Sequence, residues 1–318
     1  MIITITLNPA IDKTAQVYDL KIGELNRLEN VLIDAGGKGI NVSKMISALG
    51  ANSIACGFIG AKNEQVIIEK LNELNIKNDF VKINSNTRVN LKVIDKDAVL
   101  TELNEQGFEI SQKDTELLEK KIASLSHSGN IFVFSGSIPK GAPLDIYERL
   151  IKIAHGGGAV CFADCEGEAF KYALNANPDF IKPNLFELKT YFGITEDLTQ
   201  EKIIELCQGF GRRNIKIVSL TLGAQGALVL GGFDESAKNY QEGFFAKGLK
   251  IKAHSSVGAG DSFVGAFAYA YENNMSLEDS FKLAMACSAG AVCTQGTNPP
   301  DLELVNELKL KTEIVKLF

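Results

Sequence analysis

Apolar residues follow two different spacings along this chain, and the two spacings alternate. Short apolar runs typical of buried strands cover residues 2–7, 53–58, 131–134, 159–163, 180–182, 215–220 and 227–230. Between them, apolar residues recur every three or four positions, which indicates helices at 40–49, 64–74, 145–154, 185–192, 202–210, 261–272 and 276–293. Strands that alternate with helices in this way predict βαβ units around a mostly parallel sheet.

Two stretches do not fit this alternation and look like hairpins, 14–20 with 28–33 and 89–95 with 99–103. We interpret both as a small β-sheet that stands off the core and acts as a lid, which would exclude water from a site. The alternative is that they add edge strands to the main sheet. The expected organisation is one domain, 1–318, with the lid segments 12–34 and 87–105 inserted into it.

Composition narrows the class of protein. The 318 residues, 45% of them hydrophobic, are enough to bury a large core. A formal net charge of -6 argues against a nucleic-acid partner, and no run of 18 apolar residues predicts a membrane span. The N-terminus lacks the pattern of a signal peptide, and the six cysteines have no C-x2-C spacing. These features predict a cytoplasmic protein with free thiols.

The glycine-rich segment Gly258-Ala259-Gly260 comes directly before Asp261 and an apolar helical pattern. Free amides at a helix start, together with the helix dipole, favour an anion such as a phosphate. Asp261 is either an ordinary helix cap or a base that accepts a hydroxyl proton during phosphoryl transfer. The residues alone leave both readings open.

A second glycine-rich segment, Gly36-Gly37-Lys38-Gly39-Ile40-Asn41, resembles a phosphate loop without matching a Walker A motif. Flexible glycines beside a lysine and an asparagine suit sugar hydroxyls and an anionic group. A simple turn between a loop and a helix explains the segment equally well.

Two further segments leave a structural and a functional reading open. Asn184 and Glu187, after Lys182, form either a capping box or a contact to hydrated Mg²⁺ on ATP phosphates. The strand and glycine turn at 219–227 either support a nucleotide or form only a hairpin.

Taken in this order, the motifs resemble those of the pfkB-type, ribokinase-like carbohydrate kinases, over nearly the whole chain. The matching segments are 6–12 (TLNPAID), 36–42 (GGKGINV), 135–139 (SGSIP) and 257–262 (VGAGDS). The resemblance implies a three-layer α/β/α sandwich with a mostly parallel central sheet and a small β-sheet lid. It also favours a homodimer formed through the lid.

The same resemblance implies roles for individual residues. Asp261 would be the general base, and the amides of Gly258, Ala259 and Gly260 would form the anion hole. The residues expected to contact the sugar are Asp12, Gly37, Lys38, Asn41 and, in the central strand-end loop, Ser137. Those expected to bind Mg²⁺–ATP are Lys182, Asn184, Ser219, Thr221, Gly223, Gly226 and Ser288, with Glu187 serving the metal through water.

Within the family, residues 8–12 are similar to the branch that phosphorylates already phosphorylated ketohexoses. Residues 87–90 (TRVN) with 101–104 (TELN) resemble the fructose 1-phosphate version more than the tagatose 6-phosphate version. Arg88 and Lys38 would then supply positive charge for the anionic substrate, with Asn90 beside them. The implied reaction converts fructose 1-phosphate and ATP into fructose 1,6-bisphosphate and ADP. A non-catalytic sugar-phosphate sensor of the same fold is the alternative from another class.

One departure from the family pattern follows Asp164. Many relatives carry a small, hydroxyl-rich run there, whereas this chain has Cys165-Glu166-Gly167. The departure leaves the proposed base and anion hole intact, and no family contact is carried over to residues 165 and 166.

Overall fold

A long twisted sheet runs through the protein, and the computed structural model describes its residues 1–97, 99–254 and 256–318. The strands, in chain order, are β1 (Ile2–Thr6), β2 (Ala10–Gln16), β3 (Glu29–Gly36), β4 (Ser53–Gly60), β5 (Lys77–Ile83), β6 (Arg88–Ile94), β7 (Leu100–Asn104), β8 (Ile131–Gly136), β9 (Val160–Cys165), β10 (Phe180–Ile181), β11 (Ile217–Thr221), β12 (Gly226–Asp234), β13 (Asn239–Lys247) and β14 (Ile314–Lys316).

The α-helices cover both faces of this sheet. In chain order they are α1 (Lys38–Ala48), α2 (Gln65–Glu73), α3 (Gln112–Leu125), α4 (Ile146–Gly156), α5 (Gly167–Asn175), α6 (Leu185–Phe192), α7 (Gln200–Gln208), α8 (Ala259–Glu272), α9 (Leu277–Cys293) and α10 (Leu302–Lys311). Short 3-10 helices occupy Gly209–Arg213 and Gly223–Gln225. In the part of the chain that the structure describes, every helix is too short or too polar to span a membrane.

Within the described residues, the large sheet has ten strands in the order β14-β13-β12-β11-β10-β9-β8-β1-β4-β5. Neighbours from β5 to β11 pair in parallel, and those from β11 to β14 pair antiparallel. The predicted mostly parallel sheet is therefore confirmed. Its chain order reverses direction at β1, which lies between β4 and β8, and such a reversal opens a crevice at the carboxyl ends of the strands.

The central strands are apolar throughout because both faces of the sheet are buried. All residues of β1 and of β8 are buried. One face packs on α3, α4, α5 and α7, and the other packs on α1, α8, α9 and α10. This arrangement is the expected three-layer α/β/α sandwich.

The small separate sheet, which we call the lid sheet, has the strand order β3-β2-β6-β7 in the described part of the chain. Strand β2 pairs antiparallel with β3 and parallel with β6, and β6 pairs antiparallel with β7. The predicted separate sheet is confirmed, and the alternative of extra edge strands on the main sheet is wrong. The first strand begins earlier than expected, at Ala10, so the lid sheet starts directly beside the end of β1.

Several elements were not predicted from the sequence: β5, β13, β14, α3, α5 and α10. Helix α3 carried a readable signal, because Ser111 and Asp114 form a capping box at its start. Strand β5 lies at the edge of the sheet and alternates buried and exposed positions irregularly, which hides its strand period.

Candidate active site

A cleft of about 780 Å³ lies where the carboxyl ends of the parallel strands face the lid sheet. Most of the residues predicted for the site line it: Asp12, Gly37, Lys38, Asn41, Arg88, Asn90, Lys182, Asn184, Glu187, Thr221, Gly223, Gly226, Gly258, Ala259, Gly260, Asp261 and Ser288. A smaller adjoining cleft of about 240 Å³ shares Gly37, Lys38 and Arg88 with it and contains Ser137. The fold thus gathers residues from segments far apart in the chain.

Asp261 is a buried carboxylate in the first turn of α8. Its side chain is 6% exposed, and Asn41 Nδ2 donates a hydrogen bond of 2.8 Å to its Oδ2. Burial raises the pKa of Asp261 to about 6, although Lys38 and the hydrogen bond from Asn41 oppose the shift. Among the described residues, the carboxylate accepts a hydrogen bond from Asn41 and from no amide of its own helix, so the interpretation as a helix cap is not supported. The carboxylate is ionised at neutral pH and suits proton transfer.

The start of α8 presents backbone to the cleft. Gly258 has a φ of 81°, a left-handed conformation that glycine adopts without strain. The amide of Ala259 donates to the Ser256 carbonyl at 3.4 Å, a long bond that holds it only weakly. A Cβ on Gly260 would lie 3.3 Å from Lys182 Nζ, so the ammonium group is close to the helix start. Amides, dipole and ammonium together form a site for negative charge.

Two further charged side chains, Asp164 and Lys38, lie near the helix start. Asp164 is 2% exposed, and its Oδ1 lies 3.2 Å from Lys182 Nζ while its Oδ2 lies 3.9 Å from Lys38 Nζ. Burial alone would raise the pKa of Asp164, but the two lysines outweigh it and lower the pKa. Both oxygens are buried without a well-aligned hydrogen bond, so Asp164 acts on the lysines mainly through its charge.

The lid sheet supplies a second carboxylate, Asp12 of β2. Asn90 Nδ2 donates to its Oδ1 at 3.0 Å, and Lys92 Nζ lies 3.4 Å from its Oδ2. Sequence reasoning missed Lys92, although alternation along β6 places it on the same face as Arg88 and Asn90. The cleft is lined by all four of these side chains, Asp12, Arg88, Asn90 and Lys92. The lid sheet therefore has a polar face suited to sugar hydroxyls.

Arg88 is held by backbone carbonyl groups. Its guanidinium donates to the carbonyl oxygens of Pro9, Glu105 and Asn8 at 3.2 to 3.4 Å. Burial lowers the pKa of Arg88, although the guanidinium keeps its charge near neutral pH. In the adjoining cleft, Asn8 Nδ2 donates to Ser137 Oγ at 3.3 Å. A cation and hydrogen-bonding groups thus meet there.

Asn184 and Glu187 form a reciprocal capping box at the start of α6. Asn184 Oδ1 accepts from the Glu187 amide at 2.9 Å, and Glu187 Oε2 accepts from the Asn184 amide at 2.8 Å. The capping box, one of the two interpretations of this pair, is therefore present. Both residues also line the cleft. Burial raises the pKa of Glu187. A cation bound nearby would oppose this shift and favour the charged carboxylate.

The end of β11 and the glycine turn after it form another wall. Thr221, Gly223 and Gly226 line the cleft, and a Cβ on Gly226 would lie 2.0 Å from the Ala246 carbonyl oxygen. Ser288 of α9 lines the same cleft. Ser219 is placed differently from our expectation: it is fully buried, and its hydroxyl donates to the Leu228 carbonyl at 3.0 Å. Ser219 lies on the same face of β11 as Thr221 but two residues further from the strand end, so its side chain is buried in the core and does not line the cleft.

Sequence reasoning also missed a buried ion pair below the cleft. Lys44 of α1 is 1% exposed, and its Nζ lies 2.7 Å from Asp34 Oδ2 and 3.4 Å from Thr297 Oγ1. Burial lowers the pKa of Lys44, and Asp34 opposes that shift. Asp34 belongs to the lid sheet, and Thr297 packs against Gly258. The pair joins the lid sheet to the helix start, a connection that an isolated lysine in a helix does not reveal.

Comparison with known proteins agrees with this geometry. The family model described as pfkB family carbohydrate kinase matches residues 3–303. A 1-phosphofructokinase of Borreliella burgdorferi is 36% identical over 90% of this chain and 90% of its own length. One from Bacillus subtilis is 33% identical over 98% and 99%. The crystal structure of phosphofructokinase-2 from Escherichia coli in complex with potassium superposes with a TM-score of 0.90 at 27% identity, covering 98% of each chain.

Proposed function

The chain belongs to the pfkB family of carbohydrate kinases and is an ATP-dependent sugar kinase, and on this premise we propose that its substrate is fructose 1-phosphate. The products are then fructose 1,6-bisphosphate and ADP. The name 1-phosphofructokinase, carried by relatives that are 28 to 36% identical, supports this choice of substrate. Whichever sugar phosphate is the substrate, these relatives support a kinase that acts on sugar phosphates.

The observation that carries the proposal is the position of Asp261. Its carboxylate lines the cleft at the start of α8, next to the glycine amides and within the field of Lys38. A base and an anion site within one helical turn are the two groups that phosphoryl transfer requires of the protein.

In the proposed reaction, the free primary hydroxyl of the sugar phosphate attacks the γ-phosphorus of ATP. Asp261 accepts the hydroxyl proton, the bond from the γ-phosphorus to the bridging oxygen breaks, and ADP leaves. Asn41 fixes the carboxylate by holding Oδ2. The amides of Gly258, Ala259 and Gly260, with Lys182, stabilise the charge on the transferred group.

We assign the sugar to the lid side of the cleft. Asp12 and Asn90 would bind its hydroxyls, with Gly37 and Asn41 below. The phosphate already on the substrate would bind between Arg88, Lys38 and Ser137, because that cleft combines two cations with a hydroxyl. The lid sheet, closing over this side, would exclude water.

We assign ATP to the wall formed by Thr221, Gly223, Gly226 and Ser288. Magnesium would neutralise phosphate charge there when it is bound. The residues fit such an ion only through water: the capping box uses Asn184 Oδ1 and Glu187 Oε2, which leaves the other carboxylate oxygen of Glu187 to a hydrated cation.

A homodimer through the lid sheet is part of the proposal. Its supporting observation is the number of large apolar side chains exposed on and beside that sheet: Tyr18, Ile22, Leu25, Val31, Leu32, Ile33, Val99, Leu100 and Leu103. Burying them would remove a large apolar surface from water. A cytoplasmic location is supported by the six cysteines, all of which are free thiols.

A substrate panel tests the proposed function. Purified protein with Mg²⁺–ATP is assayed by coupled ADP release with fructose 1-phosphate, fructose 6-phosphate, tagatose 6-phosphate and unphosphorylated fructose. Fructose 1-phosphate should have the highest kcat/KM. A higher kcat/KM for tagatose 6-phosphate or fructose 6-phosphate would show that this sugar phosphate, and not fructose 1-phosphate, is the substrate. Thermal stabilisation by these ligands without any turnover would favour the sensor.

A further inference from the structure

The smaller cleft contains a carboxylate at the place proposed for the substrate phosphate. Glu166 Oε1 lies 2.5 Å from Lys38 Nζ. Among the described residues that line this cleft, Glu166 is the sole carboxylate; the other charged residues are Lys38 and Arg88. The electric field of Glu166 also reaches Arg88. One negative side chain thus neutralises the cations that an anionic ligand would need.

The other groups in this cleft suit a phosphate. Thr6, Ser135 and Ser137 contribute hydroxyls and Asn8 an amide, and the hydroxyl oxygens of Thr6 and Ser135 are buried without a hydrogen-bond partner. A phosphate bound in this cleft would lie beside the Glu166 carboxylate, and the two negative charges would repel each other. The carboxylate and the phosphate therefore compete for the cations of this cleft.

Glu166 has an alternative position available. It is the N-cap residue of α5, yet its side chain makes no capping hydrogen bond, because the carboxylate is bound to Lys38. The side chain is 52% exposed. Gly167, with a φ of 58°, follows it, and the space beside Gly167 is open. Displaced from Lys38, the carboxylate can turn toward the first amides of α5, where the helix dipole favours negative charge.

We propose that Glu166 occupies the phosphate position of the free enzyme and yields it when the phosphosugar binds, so that it sets the affinity for the anionic substrate. The inference rests on the proposed function, because it takes this cleft as the phosphate site. Glu166 competes with substrate and does not contact the reacting hydroxyl.

The variant Glu166→Gln removes the charge and keeps the shape of the side chain. The KM for fructose 1-phosphate should fall about fivefold, the size typical of a half-exposed ion pair. The values of kcat and of KM for ATP should stay within twofold of the parent. The matched control is Glu168→Gln, which removes the same charge two residues along, where Glu168 pairs with exposed Lys171 at 2.6 Å. The control should leave all three constants unchanged.

A second readout separates this inference from the proposed function. Inorganic phosphate is titrated against the thermal unfolding of the parent and both variants. Glu166→Gln should reach half of the maximal stabilisation at about fivefold lower phosphate. An inactive parent would refute fructose 1-phosphate as substrate while the phosphate titration still decides the role of Glu166. Equal midpoints, a raised KM in Glu166→Gln or no stabilisation of any protein by phosphate would overturn the inference.

Discussion

Replacing Asp261 by asparagine should separate two consequences of one buried carboxylate. The carboxylate accepts the proton in the proposed mechanism, and it is also costly to bury. Asn41 Nδ2 donates to Oδ2 at 2.8 Å, and the amide oxygen of an asparagine can accept the same bond. The variant therefore keeps its packing and hydrogen bond and loses only the charge.

The expected kinetic effect is a large loss of turnover. Removal of a general base costs about 10²- to 10⁴-fold in rate, which corresponds to about 3 to 5 kcal/mol of activation free energy. Binding should change little, because the remaining contacts to both substrates are intact. We therefore expect a low kcat with KM values close to those of the parent.

The same substitution should raise the free energy of unfolding at neutral pH, although it lowers turnover. Burial raises the pKa of Asp261 from 3.8 to about 6, so the folded state binds a proton more tightly than the unfolded chain does. Stability therefore falls as pH rises from about 4 to 6, and above pH 6 the ionised carboxylate costs about 3 kcal/mol. Asp261→Asn should remove most of this cost at neutral pH and raise Tm, whereas below pH 4 the two proteins should be equally stable.

The control is the same substitution at a buried aspartate that does not line the cleft. Burial alone would raise the pKa of Asp179, but hydrogen bonds from His155 and Lys216 outweigh it and hold the pKa at about 2. Asp179 contributes about 2 kcal/mol above pH 4 that is lost as pH falls through 2. Asp179→Asn should thus lower Tm at neutral pH and leave kcat unchanged.

Coupled ADP release at neutral pH measures turnover, and thermal unfolding between pH 3 and pH 8 measures stability. A kcat of Asp261→Asn within threefold of the parent would show that another group accepts the proton. A lower Tm at neutral pH would show that the carboxylate is stabilising, which would refute the account of its raised pKa.

Three other predictions follow from the same geometry. In the parent, kcat/KM should rise about tenfold between pH 5 and pH 7, because a base whose pKa in the free enzyme is about 6 is active only when ionised; a flat profile would contradict this. Arg88→Ala should raise KM for the phosphosugar about 10- to 100-fold, the worth of a hydrogen bond to a charged group, and KM for ATP much less; equal effects would remove Arg88 from the substrate site. Ser219→Ala should lower stability by about 1 kcal/mol through loss of the bond to Leu228 and leave KM for ATP unchanged. A severalfold rise in that KM would restore the original expectation of a nucleotide contact.

Local patterns were sufficient to place most of the individual groups near the cleft. The glycines before Asp261 and around Lys38 could be recognised directly in the sequence as positions where the backbone can approach an anion closely. Lys92 could have been found, because it follows Arg88 and Asn90 at strand spacing. The burial of Ser219 could not be predicted because it depends on depth along the strand. Ser219 and Thr221 share one face of β11, but Thr221 lines the cleft at the strand end, whereas Ser219 lies deeper, between β11 and β12.

The sequence by itself determined the alternation of strands and helices, the mostly parallel sheet and the residue types at each turn, because these depend on neighbours only a few positions apart. Tertiary structure alone decided which of those residues act together. Asn41 and Asp261 are 220 positions apart and share a hydrogen bond, and Lys44 reaches Thr297 across 253 positions. The raised pKa of Asp261 and the contact of Glu166 with Lys38 also arise only after folding, since both depend on burial and on charges that the chain brings together in space.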